Sequence, residues 1–238
     1  MSPDSSLAGR DGESDAGRAL PSTPSADRSS DSRPPAPRES KLIALLALIL
    51  GWAALMQHFG GNIYGIMGPF ALVVSLLISA LWSKQLRAWL RPTRRALVSG
   101  LGMGALMTLL TYPAFSLACA LVPGLETEVA ALYRNATGTP VWAALPWVFV
   151  IILAEELLWR GALLHALARR ASEPIALALS VVSYAGAQLG TGSWIVVLLA
   201  LVCGTTWTLQ RRWTRSVLSP LLAHLLWTPV VLILRPVV

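Results

Sequence analysis

The sequence predicts an all-α fold, a polytopic transmembrane helical bundle of about seven (seven to eight) spans behind a disordered N-terminal tail. Three observations carry that prediction. Of 238 residues, 55% are hydrophobic and only 13% are charged, and the mean hydropathy of +0.60 is too high for an ordinary soluble domain. The apolar residues gather in stretches near the roughly 20 residues that a bilayer-spanning helix needs. The basic residues cluster in alternate short loops, as they do on one face of a membrane.

Residues 1–40 stand apart from the rest. They are rich in Ser, Pro, Asp and Arg and almost free of large apolar groups. Such a segment buries too little surface to offset its ordering entropy, so it reads as a disordered cytoplasmic tail. It has no apolar core of its own and many acidic residues, which fits neither a cleaved signal peptide nor a transit peptide.

The spans follow at about 42–58, 62–82, 97–122, 141–168, 174–190, 194–210 and 216–235. The fourth is overlong, and the last is open to division into two shorter helices around Pro229. Lys84, Arg87, Arg91, Arg94 and Arg95 lie between spans two and three. Arg169 and Arg170 follow span four, and Arg211, Arg212 and Arg215 follow span six. Threading seven spans in alternation puts all of these on one side, the cytoplasmic one, together with the N-terminus.

The same threading accounts for the net charge of +7 by topology, so no nucleic-acid partner is expected. Trp82, Trp142, Trp147, Trp194 and Trp213 sit near span ends, where amphipathic rings favour the headgroup layer. Gly61 with Gly65, and Gly100 with Gly104, have the spacing that lets helices approach closely. Cys119 and Cys203 lie in apolar runs and read as small core residues.

Few ionisable groups remain at depth: Glu155, Glu156, Arg160, His165 and His224, with His58 at a span end. Charges in hydrocarbon persist only when partnered or wetted, which makes each a candidate for function. Glu156 and Arg160 are four apart on one helix and suited to pair, whether to lock the bundle or to support a site. Glu155 lies about 100° round the helix, free to face a different cavity. His165 and His58 read as packing residues. Counted at about 1.5 Å per residue, Glu155 and Gln188 fall at similar depth and His224 nearer the level of Arg160. The three are expected to converge in a cytoplasm-facing cavity.

The run "EELLWR" resembles the EExxxR motif of the CAAX protease and bacteriocin-processing (CPBP) family of intramembrane glutamic proteases, which includes the type II CAAX prenyl proteases. The family's second motif, FxxxH, falls on "YAGAQ", with Tyr184 in the aromatic place and Gln188 in the histidine's. Its third, HxxxN or HxxxD, falls on "HLLWT", with His224 matching and Thr228 in the amide or acid position. The resemblance covers about residues 97–235.

It implies that Glu155 is the general base acting on water, that Glu156 and Arg160 support it, and that His224 polarises the scissile carbonyl. In the catalytic places of the second and third motifs, the Gln188 amide can orient a water or donate to an oxyanion, and Thr228 keeps a hydroxyl with a shorter reach than an Asn amide. The resemblance further implies 41–96 as N-terminal transmembrane helices, 97–238 as the protease domain, a membrane-anchored protein or peptide as substrate, and, with the short loops, a bacterial inner membrane. No metal and no cofactor is expected, because one His and two adjacent carboxylates, one occupied by Arg, make a poor zinc set.

Three function classes compete. The first is an endopeptidase of membrane-associated proteins, in CAAX-type or protein-sorting processing. The second is a pseudoprotease that binds the same segment without cutting, as an interaction or chaperone module, because Gln188 cannot accept a proton as histidine does. The third is a proton-coupled transporter using Glu155 and His224, disfavoured by the lack of internal repeats or paired broken helices.

Overall fold

A computed structural model describes residues 37–59, 63–136 and 139–238. The expected tail therefore lies outside the described residues up to position 36. Its last positions already belong to the first helix, α1 (Pro37–Phe59). Every regular element among the described residues is helical.

Among the described residues, six helical stretches are long and apolar enough to cross a membrane: Glu39–His58, Tyr64–Leu81, Arg94–Leu121, Val141–Leu167, Glu173–Thr191 and Trp194–Thr214. The seventh expected span is the shorter apolar helix Leu218–Leu234. It is not divided at Pro229. The helix α10 (Leu218–Pro229) passes directly into a π-helical turn, Val230–Leu234.

Local chemistry explains where the helices start and stop. The helix α4 (Arg94–Leu121) opens at Thr93, whose hydroxyl accepts from Ala96 N at 3.1 Å, satisfying one of the free first-turn donors. It runs through Pro113 without ending. In the same way Ser193 caps α9 (Trp194–Thr214). Before it, α8 (Glu173–Ala187) tightens into a 3₁₀ turn, Gln188–Thr191, that ends at Gly192 with φ +70°. Between the spans lie two helices that the sequence reading left as loops, α3 (Ser83–Trp89) and α5 (Leu125–Ala136). In α5, Leu125 and Val129 are buried four residues apart, while Glu126 and Glu128 face outward.

The small residues set how closely helices meet. A Cβ on Gly100 would stand 2.8 Å from Ser219 O, and one on Gly104 3.0 Å from Ala223 O. The helices α4 and α10 therefore touch backbone to backbone at these two turns, as the spacing predicts. The other expected pair includes Gly61, which lies outside the described residues. On α2 (Gly68–Leu81), Gly68 is covered by the Trp147 ring of α6 (Val141–Glu155) at 2.6 Å from its would-be Cβ.

The expected tryptophan belt divides. Trp142, Trp194 and Trp213 are exposed, whereas Trp82 turns inward and joins the main core. Both cysteines are free, and Cys203 sits in that core as expected.

Candidate active site

The two glutamates lie where span four changes character. Glu155 is the last residue of α6, and Glu156–Leu163 form a π-helical turn before α7 (Leu164–Leu167). A π turn widens the helix and frees carbonyls from the regular ladder, and such turns concentrate at functional sites. Trp159 O, which accepts from Leu164 N within the turn, also accepts from Ser180 Oγ of α8 at 3.1 Å. Gly161 lets the Trp89 ring come to 3.0 Å of its would-be Cβ, which props the turn from the α3 side.

Glu156 and Arg160 are both almost completely buried, and Arg160 Nη1 donates to Glu156 Oε1 at 3.1 Å, the pairing expected from their spacing. The guanidinium also lies over the Tyr184 ring, 4.3 Å from its centroid, and 5.3 Å from that of Trp207. Room for it comes from Gly204 of α9, where a Cβ would meet the Tyr184 ring at 3.0 Å and Arg160 Nη2 at 3.4 Å. An ion pair removed from water persists only with such additional partners.

Glu155 has a different set of neighbours. Tyr184 donates its hydroxyl to Oε2 and Gln188 donates Nε2 to Oε1, each at 3.4 Å. Both bonds are long, so the carboxylate keeps acceptor capacity. His224, on α10, sits between the two glutamates. Its Nδ1 is 3.1 Å from Glu156 Oε1 and its Nε2 is 3.8 Å from Glu155 Oε2. The two carboxylates thus meet one imidazole from two sides, where the sequence reading separated them. Trp207 stacks on that imidazole, centroids 3.8 Å apart and planes 24° from parallel.

The structure brings together Glu155, Glu156, Arg160, Gln188 and His224. Thr228, one turn beyond His224, lines the same cavity, and its Oγ1 is buried without a hydrogen-bond partner among the described residues. Four contributors were not singled out from the sequence as site residues: Tyr184, Ser180, Gly204 and Trp207. Tyr184 was legible as the aromatic of the second motif. The other three carry no local signal, because their roles exist only once α8, α9 and α10 are packed. His165 behaves as expected of a packing residue, edge-on to Trp89 with centroids 5.8 Å apart. His58 bonds Ala54 O of its own helix.

Glu155, Gln188 and His224 face a cavity of about 970 Å³ with mostly apolar walls. Its direction corrects one expectation. Beyond wall residues of α4, α6 and α9, the lining reaches Met56–His58, α5, Gly190, Thr191, Trp194, Ile195, Val231, Leu232 and Val237. Those are the helix ends opposite the basic loops, so the cavity extends away from the basic face rather than towards it.

Residues 137–230 match the family model described as type II CAAX prenyl endopeptidase Rce1-like. The match spans the EExxxR turn, Tyr184, Gln188, His224 and Thr228, and is narrower than the 97–235 over which the motifs suggested kinship. The chain matches no curated protein and no solved structure at a significant level. The family that this model describes is one of CAAX prenyl endopeptidases, which supports a membrane endopeptidase at the level of the family. With six candidate spans, the chain is an integral multi-pass membrane protein.

Proposed function

We propose that this protein is a metal-independent intramembrane glutamic endopeptidase in which Glu155 activates the attacking water. The observation that carries the reading is the division of labour between the carboxylates. Glu156 gives one oxygen, Oε1, to both Arg160 and His224, whereas Glu155 faces the cavity, met by two long hydrogen bonds and, at 3.8 Å, by His224 Nε2.

The chemistry balances with these groups. Glu155 takes one proton from a water oriented by Gln188, and the hydroxide adds to the scissile carbonyl carbon. Glu155 then delivers that proton to the departing amide nitrogen as the C–N bond breaks. Oxyanion stabilisation falls to the Thr228 hydroxyl, which has no hydrogen-bond partner among the described residues, and to His224. Glu156, acceptor-only opposite Arg160, fixes the proton on His224 Nδ1. The Nε2 edge then donates to the oxyanion only while the imidazole carries a second proton. Because Glu156 is already engaged, the cluster offers a poor donor set for a metal.

In this reading 97–238 is the protease domain and 41–96 buttresses it, with α1 backbone lying against Gly190 of the Gln188 turn. The substrate is a membrane-associated protein or peptide. The basic loops put the N-terminus on the cytoplasmic side of, by the resemblance, a bacterial inner membrane, so the scissile segment enters from the opposite face.

A second reading is favoured by one specific observation: Gln188 meets Glu155 through an amide nitrogen, which cannot take up a proton. On that reading the cavity binds a segment without cutting it. The full chain, reconstituted in liposomes with a panel of membrane-anchored peptides, separates the two. Cleavage by the unaltered protein that persists in chelator and is lost in Glu155→Ala supports the peptidase. No cleavage until Gln188→His is introduced sinks it and leaves the pseudoprotease.

A further inference from the structure

A second cleft of about 200 Å³ lies on the basic face, away from the glutamates, between the first turn of α1, the start of α3 and the end of α7. Lys41, Gln85, His165, Arg169 and Arg170 rim it, Trp82 walls it, and Leu45 belongs to its apolar floor. Its cations are not matched by acids. The ion pairs among the described residues use Glu155, Glu156 and Glu173, and none involves Lys41, Arg169 or Arg170. Lys41 Nζ donates to Leu81 O at the end of α2 and sits 5.4 Å from the Trp82 ring centroid, which holds its charge at the cleft.

Three cations, a side-chain amide and an imidazole around one concavity with an apolar floor form a receptor for a phosphate group attached to something apolar. We propose that this cleft binds a phosphate-bearing headgroup, with an anionic phospholipid as its source. The position suits such a ligand. The cleft lies at the ends of spans one, two and four, on the face where basic side chains meet the headgroup layer. Bound there, a phosphate ties α1 to α7. It does so beside His165, whose ring edge meets Trp89, the residue that props the π turn carrying Arg160. Trp89 O also accepts from Val217 N at 2.9 Å and Ser216 Oγ at 3.0 Å, just ahead of the helix that carries His224.

The test uses the full chain in detergent, with phosphatidylglycerol, phosphatidylcholine or inorganic phosphate added. Native mass spectrometry counts bound lipid, and the thermal unfolding midpoint is followed in parallel. The site predicts retention of phosphatidylglycerol over phosphatidylcholine, reduced at least fivefold in Arg169→Gln/Arg170→Gln. The control is Arg91→Gln/Arg94→Gln, which removes two equally exposed charges from the same face outside the cleft and should cost less than twofold.

Both pairs are at the surface, so unchanged unfolding midpoints without lipid confirm folding. A midpoint raised by inorganic phosphate but not by lipid assigns the cleft to free phosphate, and the reverse assigns it to the lipid. Equal losses in both double variants, or phosphatidylcholine held as well as phosphatidylglycerol, would overturn the proposal. Neither result depends on whether the glutamate site cuts peptides.

Discussion

His224 Nδ1 lies 3.1 Å from the same Glu156 oxygen that accepts from Arg160 Nη1, also at 3.1 Å. A single buried carboxylate oxygen therefore ties the EExxxR turn to α10. Removing Arg160 alone strands that carboxylate without its cation, which costs about 3–5 kcal/mol for a buried pair. Arg160→Leu should accordingly lower the thermal unfolding midpoint sharply. The double variant Glu156→Leu/Arg160→Leu should recover most of the loss yet remain inactive, because His224 has lost its anchor. A double variant as unstable as the single one would contradict this account.

Thr228 presents to the cavity a buried hydroxyl with no hydrogen-bond partner among the described residues. Thr228→Val keeps the shape and removes a buried, unsatisfied polar group, a change expected to be neutral or stabilising by about 1 kcal/mol. If the hydroxyl serves the oxyanion, kcat should nevertheless fall by roughly 10²-fold. Opposite movements of stability and turnover are the signature; equal retention of both removes Thr228 from the site.

Trp207 lies face to face with His224 at 3.8 Å. A phenyl ring preserves most of the burial but stacks less well on the imidazole, a loss of about 0.5–1.5 kcal/mol for an aromatic pair. Trp207→Phe should therefore cost about tenfold in kcat and shift the pH profile of kcat with little change in KM. A mere packing residue would leave the pH profile where it is.

The glycines of α4 offer an internally controlled test of the α4 and α10 contact. Gly104→Ala forces a methyl to within 3.0 Å of Ala223 O and of its Cα, and overpacking of this kind costs about 1–3 kcal/mol. Gly102, two residues away, faces open space, so Gly102→Ala should stabilise the helix by up to about 1 kcal/mol. Thermal unfolding of both variants should move in opposite directions, and loss of cleavage should accompany only Gly104→Ala.

What the chain determined by itself is its helical, membrane-spanning character and the identity of its polar cluster. Hydrocarbon admits only long apolar helices and charges with partners, so the span positions and Glu155, Glu156, Arg160 and His224 were readable from one dimension. The short helix α5 was readable too, since Leu125, Val129 and Leu132 repeat at helical spacing, but its length hid it among loops. Tertiary structure decided the rest. The turn to π geometry at Glu156, the stacking of Trp207 on His224, the space that Gly204 leaves for Arg160, and the direction of the cavity all follow from packing between α4, α6, α8, α9 and α10. Side-chain direction at a helix contact depends on how the partner helix is rotated and tilted, which hydrophobic spacing along one helix does not encode.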